Sequence, residues 1–225
     1  EGYLNEDRGF ISVSMPDSNT LAIGYPDYTD SVCWRGSVRI YKWDGNAWAQ
    51  KGNALNGNDC DVQAGGIITM PDSNTIAISA GERYDGEEYG GNCGYYCPTN
   101  SGLIGRGISV YRWDGITWQQ KGATLYSDMA TSLGEICWDG SLDMGDSNTL
   151  IISNPYHSKT GVFSWDGSSW QLKGDSISDV EEYQENRRSI SSYDSNHFVI
   201  GYHMANSGHG LVRAYEWKYL AAIRK

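Results

Sequence analysis

The chain has 225 residues, with 17 Lys+Arg against 28 Asp+Glu and a formal net charge of −11. An acidic surface repels phosphates, and the longest basic cluster is the pair Arg187-Arg188, so nucleic acid is disfavoured as a partner; no apolar run approaches the roughly 18–20 residues of a membrane-spanning helix. Against 3 Phe stand 16 Tyr, 9 Trp and 28 Gly, a composition that favours strands and tight turns and points to one all-β domain over residues 1–225.

In chain order, two phrases alternate. Residues 11–24 read Ile-Ser-Val-Ser-Met-Pro-Asp-Ser-Asn-Thr-Leu-Ala-Ile-Gly, two β-branched runs around Asp-Ser-Asn-Thr. These turn residues bond their own backbone and tolerate left-handed conformations, so the phrase predicts a hairpin. Residues 38–52 follow with Val-Arg-Ile-Tyr-Lys-Trp-Asp-Gly-Asn-Ala-Trp-Ala-Gln-Lys-Gly, a second hairpin in which Asp-Gly makes the turn and Trp43 meets Trp48 across it. The first phrase returns at 67–79, 142–153 and, more loosely, 190–201, and the second at 110–122 and 163–174. A fourth copy begins at Val212 and keeps only its first Trp, Trp217, leaving residues 219–223 as a degenerate last strand. Residues 178–188 read as one or two helical turns in a solvated connector.

Two hairpins give four strands per unit, and the units cover approximately 1–52, 53–122, 123–174 and 175–225. A repeated four-stranded antiparallel unit predicts a β-propeller, either a closed four-bladed ring or part of a larger propeller. The second strands (Leu21 to Gly24, Ile76 to Ser79, Leu150 to Ser153, Phe198 to Gly201) are apolar on both faces, as strands of sandwiched sheets are. In the third strands, Val38 and Ile40 alternate with Arg39, Tyr41 and Trp43, and Ile108 and Val110 with Ser109, Tyr111 and Trp113. Seven of the nine Trp residues are thereby assigned to packing between blades. Glu1 in place of an initiator Met is what a chain matured from a leader, or trimmed, presents.

The Trp-Asp-Gly-x-x-Trp phrase resembles the FG-GAP type repeats related to the integrin α-chain head, in the variant found in secreted or surface proteins of marine microbes and algae. The resemblance spans nearly the whole chain and implies a propeller fold. It departs from the pattern at Arg8-Gly9-Phe10, Gly24-Tyr25-Pro26 and Asn154-Pro155-Tyr156, and the Asp-x-Asp-x-Asp-Gly calcium run is matched nowhere. Kelch-type propellers are the alternative relatives, but their paired Gly after the second strand does not recur here.

Chemistry outside the repeats concentrates in loops. Cys33, Cys60, Cys93, Cys97 and Cys137 all fall there, which predicts disulfides and an oxidising compartment, with Cys93 and Cys97 the closest pair. His157, His197, His203 and His209 pair with none of them in a zinc pattern. Asn56, Asn58, Asp59 and Asp61 offer oxygen ligands for a partial calcium site, as do Glu82, Asp85, Glu87 and Glu88; the competing reading is a solvated acidic loop, and no cofactor is otherwise implied. The longest insertion, 80–106, carries Tyr84, Tyr89, Tyr95 and Tyr96 among glycines and is either a protein or glycan contact or a cap on its own blade. Tyr28, Trp34, Trp138, Tyr156 and Tyr202 are further loop-tip aromatics. No serine triad, phosphate loop or nucleotide fold is recognisable. The expectation is a non-catalytic secreted, lumenal or surface propeller that binds a protein partner or builds a larger assembly. A lectin-like module is the alternative, and a propeller glycosidase or lyase comes third.

Overall fold

The computed structural model describes residues 11–29, 35–57, 64–80, 107–125, 141–154, 159–178, 188–203 and 209–217. Four antiparallel sheets are arranged as the blades of a β-propeller, and no helix occurs among the described residues. Blade 1 holds β1 (Ser12–Asp17), β2 (Thr20–Tyr25), β3 (Ser37–Trp43) and β4 (Trp48–Gln50) in that spatial order, with β5 (Leu55–Asn56) also pairing β3. Blade 2 repeats the order with β6 (Ile68–Asp72), β7 (Thr75–Ala80), β8 (Gly107–Trp113) and β9 (Trp118–Gln120). Blade 3 has β10 (Ser141–Asp146), β11 (Thr149–Asn154), β12 (Lys159–Trp165) and β13 (Trp170–Leu172), with β14 (Ile177–Ser178) on β12. Blade 4 shows β15 (Arg188–Ser192), β16 (His197–Tyr202) and β17 (Leu211–Glu216). The expected fourth strand at 219–223 and the connector from 179 to 187 lie outside the described residues. The short β5 and β14, which add a fifth strand to blades 1 and 3, have no counterpart in the four-strand expectation.

The turns form as their chemistry dictates. Asp17, Asp72, Asp146 and Asp194 each accept, through Oδ1, the backbone N–H two residues on, at 2.7–2.8 Å. In the second hairpins Asp44, Asp114 and Asp166 each accept two N–H groups at 2.8 Å, and Gly45, Gly115 and Gly167 follow at φ of +102°, +108° and +107°, a region L side chains avoid.

The blades pack in chain order, β1 against β6, β6 against β10 and β10 against β15. Each blade has a leading face toward the next blade and a trailing face toward the one before, and each junction is one apolar cluster. Ala22, Val38 and Ile40 of blade 1 meet Ile68, Met70, Ile76 and Ile78 of blade 2. Ala77, Ile108 and Val110 of blade 2 meet Leu142, Met144, Leu150, Ile152 and Phe163 of blade 3. Ile151 and Val162 of blade 3 meet Phe198, Ile200 and Tyr202 of blade 4. The aliphatic positions of the third strands thus line the leading face and the aromatic ones the trailing face. Polar groups tie the inner strands together: Ser12 Oγ donates to the Gly65 carbonyl (2.6 Å), Met70 N to Ser14 Oγ (3.0 Å), and Thr69 Oγ1 to Asp143 (2.8 Å). Asp143 in turn accepts from the Ser192 N–H (2.6 Å) and hydroxyl (2.7 Å).

The two outer faces of the array are open. On the trailing face of blade 1, Val13 and Met15 are 64% and 57% exposed, whereas the residues at the same repeat positions, Ile68 and Met70 or Leu142 and Met144, are buried. On the leading face of blade 4, Val199 is 38% and Val212 70% exposed, where Ala22, Ala77 and Ile151, and Val38 and Ile108, are buried.

Candidate functional site at the blade junctions

The most organised polar constellation recurs at the outer rim of each junction. After the second hairpin the chain reads Lys-Gly at 51–52, 121–122 and 173–174. Lys51 reaches into blade 2, donating to the Ser73 carbonyl (2.5 Å) and Asn74 Oδ1 (2.8 Å), with Nζ 5.2 Å from the rings of both Trp113 and Trp118. Lys121 repeats this on blade 3 with the Ser147 carbonyl (2.5 Å), Asn148 Oδ1 (2.6 Å), Trp165 (5.2 Å) and Trp170 (5.1 Å). Lys173 does so more loosely on blade 4, with the Ser195 carbonyl (3.3 Å), Asn196 Oδ1 (3.2 Å) and Trp217 (5.4 Å). The indole N–H groups of Trp118 and Trp170 answer by donating to the carbonyls of Lys51 and Lys121, both at 2.9 Å.

The glycine of each pair is a steric requirement. Gly122 sits at φ +81°, and a Cβ there would stand 2.5 Å from Trp165 Cζ3 and 3.2 Å from Trp170 Cδ1; Gly52 meets Trp113 and Trp118 in the same way. The receiving indoles are paired across their own hairpin, with centroids 5.4 Å apart for Trp113–Trp118 and 5.5 Å for Trp165–Trp170, tilted by 57° and 59°. The first two cassettes are therefore a Lys-Gly knob from one blade in a Trp-pair and Ser-Asn socket on the next, and the third seats its knob against Trp217 and Ser195-Asn196.

Electrostatics follow the geometry. Burial against indole lowers the pKa of Lys51, Lys121 and Lys173. Backbone N–H donors pull the turn carboxyls below their ordinary value: Ala47 and Asn46 act on Asp44, Thr117 and Ile116 on Asp114, and Ser169 and Ser168 on Asp166. For Asp194 the Asn196 N–H acts first and the His197 side chain next, with His197 Nδ1 2.9 Å from both carboxylate oxygens.

Blade 1 carries the same socket, and among the described residues no Lys-Gly knob enters it. Trp43 and Trp48 form the same tilted pair, with centroids 5.6 Å apart at 56°, and the Trp43 N–H reaches the Asn19 carbonyl at 2.8 Å, as the Trp113 N–H reaches that of Asn74. Trp48 is 41% exposed, whereas its counterpart Trp118 is 8% exposed.

Most of the residues singled out in the sequence lie outside the described residues: Tyr84, Tyr89, Tyr95, Tyr96, Trp34, Trp138, Tyr156, Asn58, Asp59, Asp61, Glu82, Asp85, Glu87, Glu88 and all five cysteines. Tyr28 is half-buried, with the Arg39 guanidinium 5.7 Å from its ring, and its carbonyl accepts from the Arg35 and Gly36 N–H groups. Asn56 is exposed at the end of β5, opposite Ser37. Tyr202 requires a correction. Expected at a loop tip, it ends β16 at 1% exposure, its hydroxyl 3.0 Å from that of Tyr215, and belongs to the junction between blades 3 and 4. The residue after it begins the loop, and strand alternation turns Tyr202 inward with Phe198 and Ile200. Among the described residues no three His, Cys, Asp or Glu side chains gather as for a metal ion. The Lys-Gly knob was not singled out from sequence, although its signal was present: Lys-Gly and Ser-Asn recur at fixed places in successive units.

No family model matches the sequence, and no curated protein matches it. Among solved structures the chain is similar to the crystal structure of AofleA from Arthrobotrys oligospora, with 9% sequence identity and a TM-score of 0.50, covering 93% of this chain and 53% of that one. At that identity the likeness concerns the fold alone, and the chain spans about half the length of the structure it resembles.

Proposed function

We propose that the chain is a non-catalytic propeller, secreted, lumenal or surface-exposed, that serves as an interaction subunit of a larger assembly. One observation carries the reading: both end blades expose residues that, at the same repeat positions in the interior, are buried in blade-to-blade cores. Val13 and Met15 lie at one end and Val199 and Val212 at the other. Faces of this composition gain stability when covered and resemble the core of an interface more than a solvated surface. Native mass spectrometry of the protein taken from its source under non-denaturing conditions tests it. The expected result is a complex heavier than the same polypeptide measured after denaturation; a free chain with no companion refutes the reading.

A lectin-like role is the second reading. It is favoured by the Trp43–Trp48 pair, which leaves an indole accessible for stacking on a sugar ring. Glycan-array binding lost in Trp48→Ala supports it, and an array without binding, with or without calcium, removes it.

A further inference from the structure

We infer that the Trp43–Trp48 socket of blade 1 is a binding site for a lysyl-glycyl group, whose ammonium it takes between the two indoles. The inference goes beyond both readings above: it gives the accessible indole pair a peptide cation as its ligand instead of a sugar ring, and it concerns the group that fits, whichever polypeptide presents it.

The blade 1 socket is made of the same parts as the two complete sockets of the interior, set in the same way. Its indole centroids stand 5.6 Å apart at 56°, against 5.4 Å at 57° and 5.5 Å at 59°. Asp17 Oδ1 accepts the Asn19 N–H at 2.7 Å, as Asp72 Oδ1 accepts that of Asn74 at 2.7 Å. The Trp43 N–H reaches the Asn19 carbonyl at 2.8 Å, as the Trp113 N–H reaches that of Asn74. Ser18-Asn19 therefore repeats Ser73-Asn74 and Ser147-Asn148 in sequence and in turn geometry. The difference is exposure, since Trp48 is 41% exposed and Trp118 and Trp170 are 8% and 7%.

What the interior sockets hold states what this geometry selects, by three separate contacts. An ammonium lies about equally far from both rings and donates to a Ser carbonyl and an Asn Oδ1, so a neutral or anionic head leaves two acceptors without a donor. The lysine's own carbonyl accepts the indole N–H of the second Trp, which fixes the ligand as a peptide and not a free amine. The next residue is Gly because a Cβ there would stand 2.5 Å from the first indole. Carboxylates favour the cation further: Asp72 and Asp146 act on Lys51 and Lys121 against the burial that lowers both, and Asp17 holds their place in the blade 1 hairpin. Trp43, Trp48, Ser18 and Asn19 offer blade 1 the same three contacts.

The test titrates the full chain with a capped Lys-Gly dipeptide, followed by NMR of the indole N–H groups, with Trp48→Ala identifying the Trp48 signal and circular dichroism verifying its fold. The Trp48 signal should move and saturate in the millimolar range, since few contacts must offset the entropy of binding. A capped norleucyl-glycine, which lacks only the charge and its donors, should bind at least about tenfold more weakly. A capped Lys-Ala should bind at least about fivefold more weakly. Asn19→Ala should weaken the Lys-Gly dipeptide and leave the norleucine probe unchanged. Equal response to the charged and neutral probes, equal response to Lys-Gly and Lys-Ala, or no response to any of them overturns the inference. So does a Trp48 shielded from iodide before any probe is added and unmoved by all of them, because the socket is then closed to a ligand. Binding of Lys-Gly beside a glycan array without binding keeps this inference and removes the lectin reading; glycan binding without any response to Lys-Gly does the reverse.

Discussion

Replacing Gly122 with Ala separates the steric role of the cassette glycine from its backbone conformation, provided that Gly115→Ala is measured beside it. Both positions have positive φ, +81° at Gly122 and +108° at Gly115, and forcing an L residue there costs roughly 1–2 kcal/mol in either case. Gly115 lies no closer to the left-handed basin, so its backbone cost is at least as large. The surroundings differ. Nothing lies within 4 Å of a Cβ built on Gly115, whereas at Gly122 the same atom stands 2.5 and 3.1 Å from the Trp165 ring and 3.2 Å from Trp170. Those indoles are held by their hairpin and by the Trp170 N–H bond to Lys121, so they cannot swing aside as a long flexible side chain would. Overpacking of this kind costs about 1–3 kcal/mol, which places Gly122→Ala at roughly 2–5 kcal/mol in total. Urea unfolding followed by tryptophan fluorescence reads both variants. Gly122→Ala should exceed Gly115→Ala by about 1–3 kcal/mol. Equal losses, or a greater loss at Gly115, would refute the reasoning, because the indole pair would then tolerate a methyl group against it.

Lys121→Met should cost about 1.5–3 kcal/mol in the same assay, since it removes two charge-assisted hydrogen bonds and the ammonium between two indoles; a loss below about 0.5 kcal/mol would mean the knob is solvated rather than seated. Tyr202→Phe, which deletes the hydroxyl contact to Tyr215, should cost about 0.5–1.5 kcal/mol, and Tyr202→Ala about 3–5 kcal/mol; two neutral results would contradict its burial. Stability should also respond to acid. Asp44, Asp114, Asp166 and Asp194 have folded-state pKa values depressed below 3.8, so the folded chain binds protons less readily than the unfolded one. Their contribution is fully present above that value and is lost as pH falls through the depressed folded values. Thermal melts from pH 7 to pH 2 should bend downward below about pH 4, and Asp114→Asn should weaken the bend; an unchanged profile in the variant would exclude the turn carboxylate as its source.

The fold was readable because the repeat writes each strand pair into the chain several times. The Trp43–Trp48, Trp113–Trp118 and Trp165–Trp170 contacts follow from Asp-Gly between two indoles, and the two-faced apolar character of Ile76 to Ser79 follows from blades on both sides. What the repeat could not reveal was where it stops being satisfied. Trp48 and Trp118 occupy identical positions in their phrases, yet Trp118 is buried against blade 1 and Trp48 is exposed. Tyr202 misled for a local reason: it borders a loop in sequence, but strand alternation turns it into a core. Lys51, Lys121 and Lys173 were visible as a recurring letter, yet their partners lie more than twenty residues away in the following unit, a distance over which a turn motif carries no geometric information. The loop candidates, from Tyr84 to Trp138, carry no repeat and are legible only as composition.

Each blade is coupled to its sequence neighbours through a knob and a socket of opposite kinds, and this makes the array cooperative along one dimension. Among the described residues, blades 2 and 3 are clamped on both faces, blade 1 on its leading face and blade 4 on its trailing face. Amide hydrogen exchange should therefore proceed as a gradient, quickest in β15–β17 and in β1, slowest in β7 and β11, so that the molecule unzips from its ends toward the middle. Covering the end faces would flatten that gradient, and the flattening would record, strand by strand, how far a partner's stabilising influence travels into the propeller.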